Sequence, residues 1–209
     1  MRRMRFALLA LVMLLASCST DGGSSGTGIT SVEGNVAAVH GDGAAAASTA
    51  STAGIDVTVD GTSAGASTDA AGRFVVRGKF EGRATLHFQR AADAVDARMT
   101  IVVPRGGTLT LDDVQVDVAT AEATADRRHA VFDAQVTNAD CAAGTLALVS
   151  VGGGEGAYVY ALDLASSFVH DADGTAVACG DLRAGERVHV EATARMDGTF
   201  GDGDVTVER

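Results

Sequence analysis

Gly61-Thr62-Ser63-Ala64-Gly65 has the Gly-x-Ser-x-Gly spacing of a hydrolase nucleophile elbow, in which a tight strand-to-helix turn exposes a serine for attack on an acyl carbon. That chemistry requires a helix after the serine. Here an alternating run and Asp60-Gly61 precede it, and residues 66–72 lead into a further hairpin, so the pattern is read as a turn. An esterase using Ser63 would also need a His and an acid within hydrogen-bond reach; an exposed Ser63 alone in a hairpin eliminates it. Gly152-x-Gly154-x-x-Ala157 imitates a dinucleotide loop, but Tyr158-Val159-Tyr160 continues as strand where a phosphate-binding helix would have to begin. His170-Asp171-Ala172-Asp173-Gly174 and the stretch with Asp197, Asp202 and Asp204 offer carboxylates to calcium. Neither supplies the regularly spaced oxygens and closing acid of a calcium loop, so both are read as Asp-Gly turns. The histidines at 40, 87, 129, 170 and 189 lack close ligand pairs, and His87 and His189 fall on outward strand faces. No metal or cofactor is expected, and no enzyme. Tyr158 and Tyr160 are the best binding candidates: two rings on one strand face can stack on a sugar or a base. They can equally fill a core with their hydroxyls at its rim, which is the preferred reading.

The cysteines carry the firmer chemistry. Arg2, Arg3 and Arg5 precede an apolar run from Phe6 to Leu15, and Leu15-Ala16-Ser17-Cys18 follows. A basic start, a short apolar middle and small residues before a cut site make a secretory signal peptide over residues 1–17. The apolar run is about half the roughly 20 residues that a membrane-spanning helix needs. Ending in Leu-Ala-Ser-Cys, the segment resembles the bacterial lipoprotein signal. That resemblance implies that the Cys18 thiol is diacylated and becomes the first residue of the mature chain, anchored in a membrane by two or three acyl chains. It also implies a place in the cell envelope, and Ser19 implies the outer membrane where the source is Gram-negative. Residues 18–29 then form a tether. Its Ser19 to Gly28 stretch, rich in Gly, Ser and Thr, reaches roughly 15–20 Å on average.

With Cys18 lipidated, Cys141 and Cys179 form an even pair outside the cytosol, where disulfides persist. A bridge is expected over two buried free thiols, and it contributes roughly 3–4 kcal/mol through loop closure.

Composition narrows the partners. Cleavage leaves 192 residues, enough for one large domain or two small ones. It removes three arginines and no acid, so the formal charge falls from −11 to −14. Such a surface repels phosphate backbones and anionic lipid, which argues against nucleic acid as a partner. The membrane is met through the lipid anchor, and a cell-envelope protein or a neutral glycan fits the remaining surface. Lys79 is the only lysine against fifteen arginines, and Pro104 is the only proline.

From Thr30 onward the chain alternates in short runs broken by Gly and Asp, with no convincing long helix, which predicts an all-β protein. Ile55, Val57 and Val59 share one strand face, as do Phe74 and Val76, then Ala84, Leu86 and Phe88, then Val95 to Val103. Leu109 and Leu111 are out of phase with Val114, Val116 and Val118, which predicts a bulge at Asp112-Asp113. Residues 41–54 are read as a mobile loop, with one helical turn as the alternative. Residues 119–129 are read as a linker, with a short helix as the alternative. The second half resumes with Phe132, Ala134 and Val136, then Leu146 and Leu148, Tyr158 to Leu162, Val188 to Ala192, and Val205 with Val207.

Two resemblances refine this outline. Val32-Glu33-Gly34-Asn35-Val36, Ile55-Asp56-Val57-Thr58-Val59 and Thr68-Asp69-Ala70-Ala71-Gly72-Arg73-Phe74 resemble the carboxypeptidase regulatory-like domain, a transthyretin-type β-sandwich, over residues 30–118. The last stretch supplies its Thr-Asp-x-x-Gly-x-Phe hairpin: Asp69 caps the turn, Gly72 takes an unusual backbone geometry and Phe74 plugs the core. The resemblance implies a structural or adhesive module without catalytic residues. Residues 130–209, through Cys179-Gly180-Asp181-Leu182-Arg183-Ala184-Gly185-Glu186-Arg187-Val188-His189-Val190-Glu191, resemble a small OB-like β-barrel found in bacterial exported proteins. The expected architecture is a β-sandwich followed by a small barrel. The expected function is that of a lipid-anchored, non-enzymatic binding or structural module, with a carbohydrate-binding accessory lipoprotein as the alternative.

Overall fold

The computed structural model describes residues 28–41, 51–152 and 156–209. The signal, Cys18 and most of the tether lie outside these residues, as do residues 42–50 of the expected loop. The protein is all-β, and the fourteen strands among the described residues form one mixed hydrogen-bonded network. In chain order the first eight are β1 (Thr30–His40), β2 (Asp56–Val59), β3 (Gly65–Ser67), β4 (Arg73–Gly78), β5 (Gly82–Arg90), β6 (Val95–Val103), β7 (Thr108–Asp117) and β8 (Glu122–Thr124). The remainder are β9 (Arg127–Asp140), β10 (Thr145–Ser150), β11 (Val159–Asp163), β12 (Phe168–Asp171), β13 (Arg187–Ala194) and β14 (Phe200–Glu208). Among the described residues no helix is long and apolar enough to cross a membrane.

In the first half, β1 lies between antiparallel β4 and parallel β7, while β3, β2, β5 and β6 pair in that order. The alternation sets which side chains meet. Val32, Val76, Leu109 and Leu111 from the first group, and Ile55, Val57, Leu86 and Ile101 from the second, are all buried. Phe74 meets Phe88 edge to face with ring centroids 5.9 Å apart. Each fully buried apolar side chain of this size contributes roughly 1.5–3 kcal/mol. The bulge falls where the phase change requires it. Asp112 and Asp113 together oppose Asn35, and Asp113 has φ +51°, so Leu111 and Val114 face the same core.

The 68–74 hairpin is built from its own side chains. Asp69 Oδ1 accepts from the backbone N–H groups of Ala71 at 2.8 Å and Arg73 at 2.9 Å, and the same carboxylate meets the Arg73 guanidinium. Gly72 has φ +78°, and a Cβ there would lie 2.4 Å from the Val36 carbonyl oxygen. Phe74 is buried over Gly34, where a Cβ would fall 2.6 Å from the phenyl ring. Thr68 is buried as well: its hydroxyl accepts from the Ile55 N–H and donates to the Thr52 carbonyl.

The second half closes on itself. Strand β9 pairs with β10 and β13, β13 with β14, and β10 with β11. The ring is completed by a parallel contact of β11 with β14 at Leu162 and Phe200. Strand β12 adds to β14 in parallel outside that ring.

The stretch expected as a linker is structured. Residues 119–129 hold β8 and the start of β9, and β8 bridges β7 to β6 through Arg98 and Glu122. Only Ala123 of the three β8 residues is buried, so no alternation advertises the strand. The next residues, 127–131, pair with 108–112 of β7 and carry the hydrogen-bonded network into the second half.

Candidate functional site

The residues that could do chemistry divide into turn formers, cross-strand pairs and one seam between the halves. Ser63 is exposed in the β2–β3 turn, and the chain after it forms strand β3. It therefore lacks the strand-to-helix geometry of a nucleophile elbow. Asp173 and Asp197 each accept the N–H two residues on, from Thr175 and Thr199, which is turn chemistry. Those backbone bonds hold both carboxyls below the usual carboxylate range. Among the described residues no three His, Cys, Asp or Glu side chains gather as a metal site.

Four of the five histidines are held by a neighbouring strand. His40 Nε2 meets Gln115 Oε1 at 2.9 Å, and His189 Nδ1 meets Asp133 Oδ1 at 2.7 Å. His87, expected on an outward face, does point away from the apolar core but is covered. Its Nε2 lies 2.7 Å from Asp96 and its Nδ1 3.7 Å from Asp60, and Arg98 spans the two acids. The hydrogen bond with His87 is the main cause of a lowered Asp96 pKa. His170 uses both ring nitrogens, with Nδ1 2.7 Å from its neighbour's carbonyl at Asp171 and Nε2 2.6 Å from Asp204 Oδ1. Two acceptors favour the doubly protonated ring, and the Asp171 carbonyl, then Asp204, raise the His170 pKa. Its ring stacks on Phe168 of the same strand at 5.1 Å, and the contact with Asp204 ties β12 to β14.

Cys141 and Cys179 form the expected disulfide, with Cα atoms 5.7 Å apart. It joins the β9–β10 turn to the short 3-10 turn Cys179–Asp181 before β13. Cys18 lies outside the described residues.

Tyr158 and Tyr160 sit at the seam. Their ring centroids are 5.0 Å apart, and Tyr160 also packs on Phe132 at 5.7 Å and Phe200 at 5.9 Å. Tyr160 is 0% exposed, and its hydroxyl donates to the Val103 carbonyl at 3.2 Å, reaching from the second half into β6. Burial pushes its phenol pKa up. Tyr158 is half-buried against Gly82. Gly82 has φ +74°, and a Cβ there would lie 2.5 Å from the Tyr158 ring. The pair therefore presents no shared exposed platform, which corrects the stacking alternative: the ring that would complete it is spent on the core. The Arg83 guanidinium donates to the Asp197 carbonyl and that of Arg128 to the Thr100 carbonyl, extending the seam on both sides.

The sequence reading missed the groups gathered behind Tyr160. Ser150 is 2% exposed, and its Oγ has no hydrogen-bond partner among the described residues. The Glu81 carboxylate, from the β4–β5 turn, acts on the Tyr160 phenol, and its Oε2 is buried without a hydrogen-bond partner among the described residues. These groups come from positions 81, 150 and 160, and no spacing pattern links them. No protein-family model matches the chain, and no curated protein matches it.

Proposed function

We propose that the chain is a lipid-anchored cell-envelope protein that works as a non-enzymatic binding or structural module. The observation that carries this reading is the segment Met1–Cys18, with its three arginines, ten-residue apolar run and Leu-Ala-Ser-Cys ending. The geometry supports the same reading. The imidazoles and most carboxylates described above serve as cross-strand ties and turn caps, and the seam welds the two halves into one body. Residues 30–118 are proposed as a carboxypeptidase regulatory-like sandwich, supported by the Asp69–Gly72–Phe74 hairpin and the two facing strand groups. Residues 130–209 are proposed as an OB-like barrel. With the five ring strands alone numbered in chain order and β12 left out, the order 1-2-3-5-4, with strands 3 and 5 parallel, supports the assignment. A glycan partner, if one binds, has to use a surface other than the Tyr158–Tyr160 pair.

Labelling with radioactive palmitate tests the anchor. The full chain is expected to incorporate label and fractionate with membranes, and Cys18→Ala to lose both. An unlabelled wild type, or a Cys18→Ala protein that matures and fractionates unchanged, refutes the proposal.

A further inference from the structure

We propose that the Cys141–Cys179 bridge is a redox latch: a dithiol reductant opens it in the folded protein and frees residues 178–184 as a flap, while the strands stay in place. The flap lies in the connection from β12 to β13, residues 172–186, in which Leu182 is the only buried residue. Backbone bonds hold that connection at both ends. The Val177 N–H donates to the Val169 carbonyl; at the other end the Gly185 N–H donates to the Val136 carbonyl and the Val136 N–H to the Glu186 carbonyl. Between these points, among the described residues, no backbone hydrogen bond of residues 178–184 reaches beyond 178–186.

Three ties then hold the flap to the fold. They are the disulfide, the Leu182 side chain in the apolar core, and the Arg209 guanidinium, which donates to the Asp181 carbonyl at 3.2 Å. Arg183 adds nothing outward: its guanidinium donates to the Gly180 and Leu182 carbonyls, and its N–H to the Glu186 carboxylate. Fixing the backbone of seven residues costs conformational entropy that one buried leucine and one hydrogen bond do not offset, so the covalent tie decides the closed state. The other cysteine stands on firmer ground. Asp140 Oδ1 accepts from the N–H groups of Ala142 at 3.1 Å and Ala143 at 3.0 Å, and the Gly144 carbonyl accepts from the Leu164 N–H at 2.8 Å. The β9–β10 turn therefore keeps its form when the bridge opens, and the Cys179 side moves.

Exposure sets the order of events. Cys141 is exposed and Cys179 half-buried, so the thiolate of the reductant attacks the Cys141 sulfur. The S–S bond breaks, and its electron pair leaves on the Cys179 sulfur, which takes a proton. The second thiolate of the reductant attacks its own sulfur in the mixed disulfide, closes the reductant's disulfide and expels Cys141, which is protonated in turn. The protein gains two electrons and two protons, and the reductant loses them. Leu182 then leaves the core, and the second half presents apolar surface that the oxidised protein covers. The latch stands without the lipid anchor.

The test is limited trypsin digestion well below the unfolding midpoint, using the mature chain carrying Cys18→Ser so that Cys141 and Cys179 are the only cysteines. Arg183 is the one basic residue of the flap, and Arg98 and Arg128 on the strands report on the rest of the fold. Dithiothreitol is the dithiol, and alkylation mass spectrometry reads the thiols formed. Reduction without denaturant is expected to speed cleavage at Arg183 about tenfold or more, with cleavage at Arg98 and Arg128 unchanged within about twofold and the far-ultraviolet circular dichroism retained. Reoxidation should restore the slow rate. Leu182→Ala should leave the oxidised rate within about twofold and raise the reduced rate further. Cys141→Ser/Cys179→Ser should be cut like the reduced protein whether or not dithiothreitol is present; the reduced wild type carries the test if that variant fails to fold. A bridge that dithiothreitol leaves intact in the folded protein, equal cleavage at Arg183 in both redox states, or a gain in cleavage shared by Arg98 and Arg128 overturns the proposal.

Discussion

Removing the Cys141–Cys179 bridge isolates what one covalent tie does for the second half. The two residues are 38 apart in sequence, and the closed loop contains β10, β11 and β12. In the chain-entropy account, opening a loop of that size releases about 4 kcal/mol of denatured-state entropy. For a chain of this length, with about 2–4 °C of midpoint per kcal/mol, the expected fall in Tm is about 8–16 °C. The assay is thermal unfolding by circular dichroism of the mature chain and of its Cys141→Ser/Cys179→Ser variant, each with and without reductant. The wild type should lose stability on reduction and the variant should be indifferent to it. Because β10, β11 and β12 lie within the loop, the loss should appear first in the second half, and a split transition with that half melting lower is an acceptable form of it. A variant whose midpoint falls by less than about 2 °C, or two titratable thiols at Cys141 and Cys179 in the oxidised wild type, refutes the reasoning.

Three further perturbations probe the seam and the histidine tie. Gly82→Ala places a Cβ against the Tyr158 ring in a left-handed backbone and should cost about 2–4 kcal/mol in urea unfolding; adding Tyr158→Ala should recover part of that loss in a double-mutant cycle. Tyr160→Phe removes the hydrogen bond to the Val103 carbonyl and should cost about 1 kcal/mol by the same assay, with the fold retained. His170 has a folded pKa raised above its ordinary 6.5, so its contribution to stability is full below about pH 6.5 and lost as pH rises through the raised value. A pH series of unfolding midpoints should show that alkaline loss in the wild type, and His170→Asn should flatten it.

Much of the strand inventory was legible because burial in a sheet repeats every second residue. The alternation at Ile55–Val59, Leu86–Phe88, Phe132–Val136 and Val188–Ala192 coincides with buried positions in the structure. The phase change before Val114 located the bulge for the same reason, and Asp69 and Gly72 announced their hairpin through local backbone chemistry. Strands β8 and β12 escaped because each is too short to alternate and buries a single side chain, Ala123 or Val169. The His87 and His170 ties were invisible because their acidic partners sit on neighbouring strands, at positions 96 and 204.

The sequence by itself determined an all-β chain, the position of its core faces, its turn chemistry and a cysteine pair suited to bridging, since each depends on period or on near neighbours. Only the tertiary structure decided that Tyr160 is core and not platform, that Gly82 must be glycine, and that Glu81, Ser150 and Tyr160 converge at one seam. Those facts depend on which strands pair and how two halves meet, and pairing brings together residues whose separation along the chain carries no periodic mark.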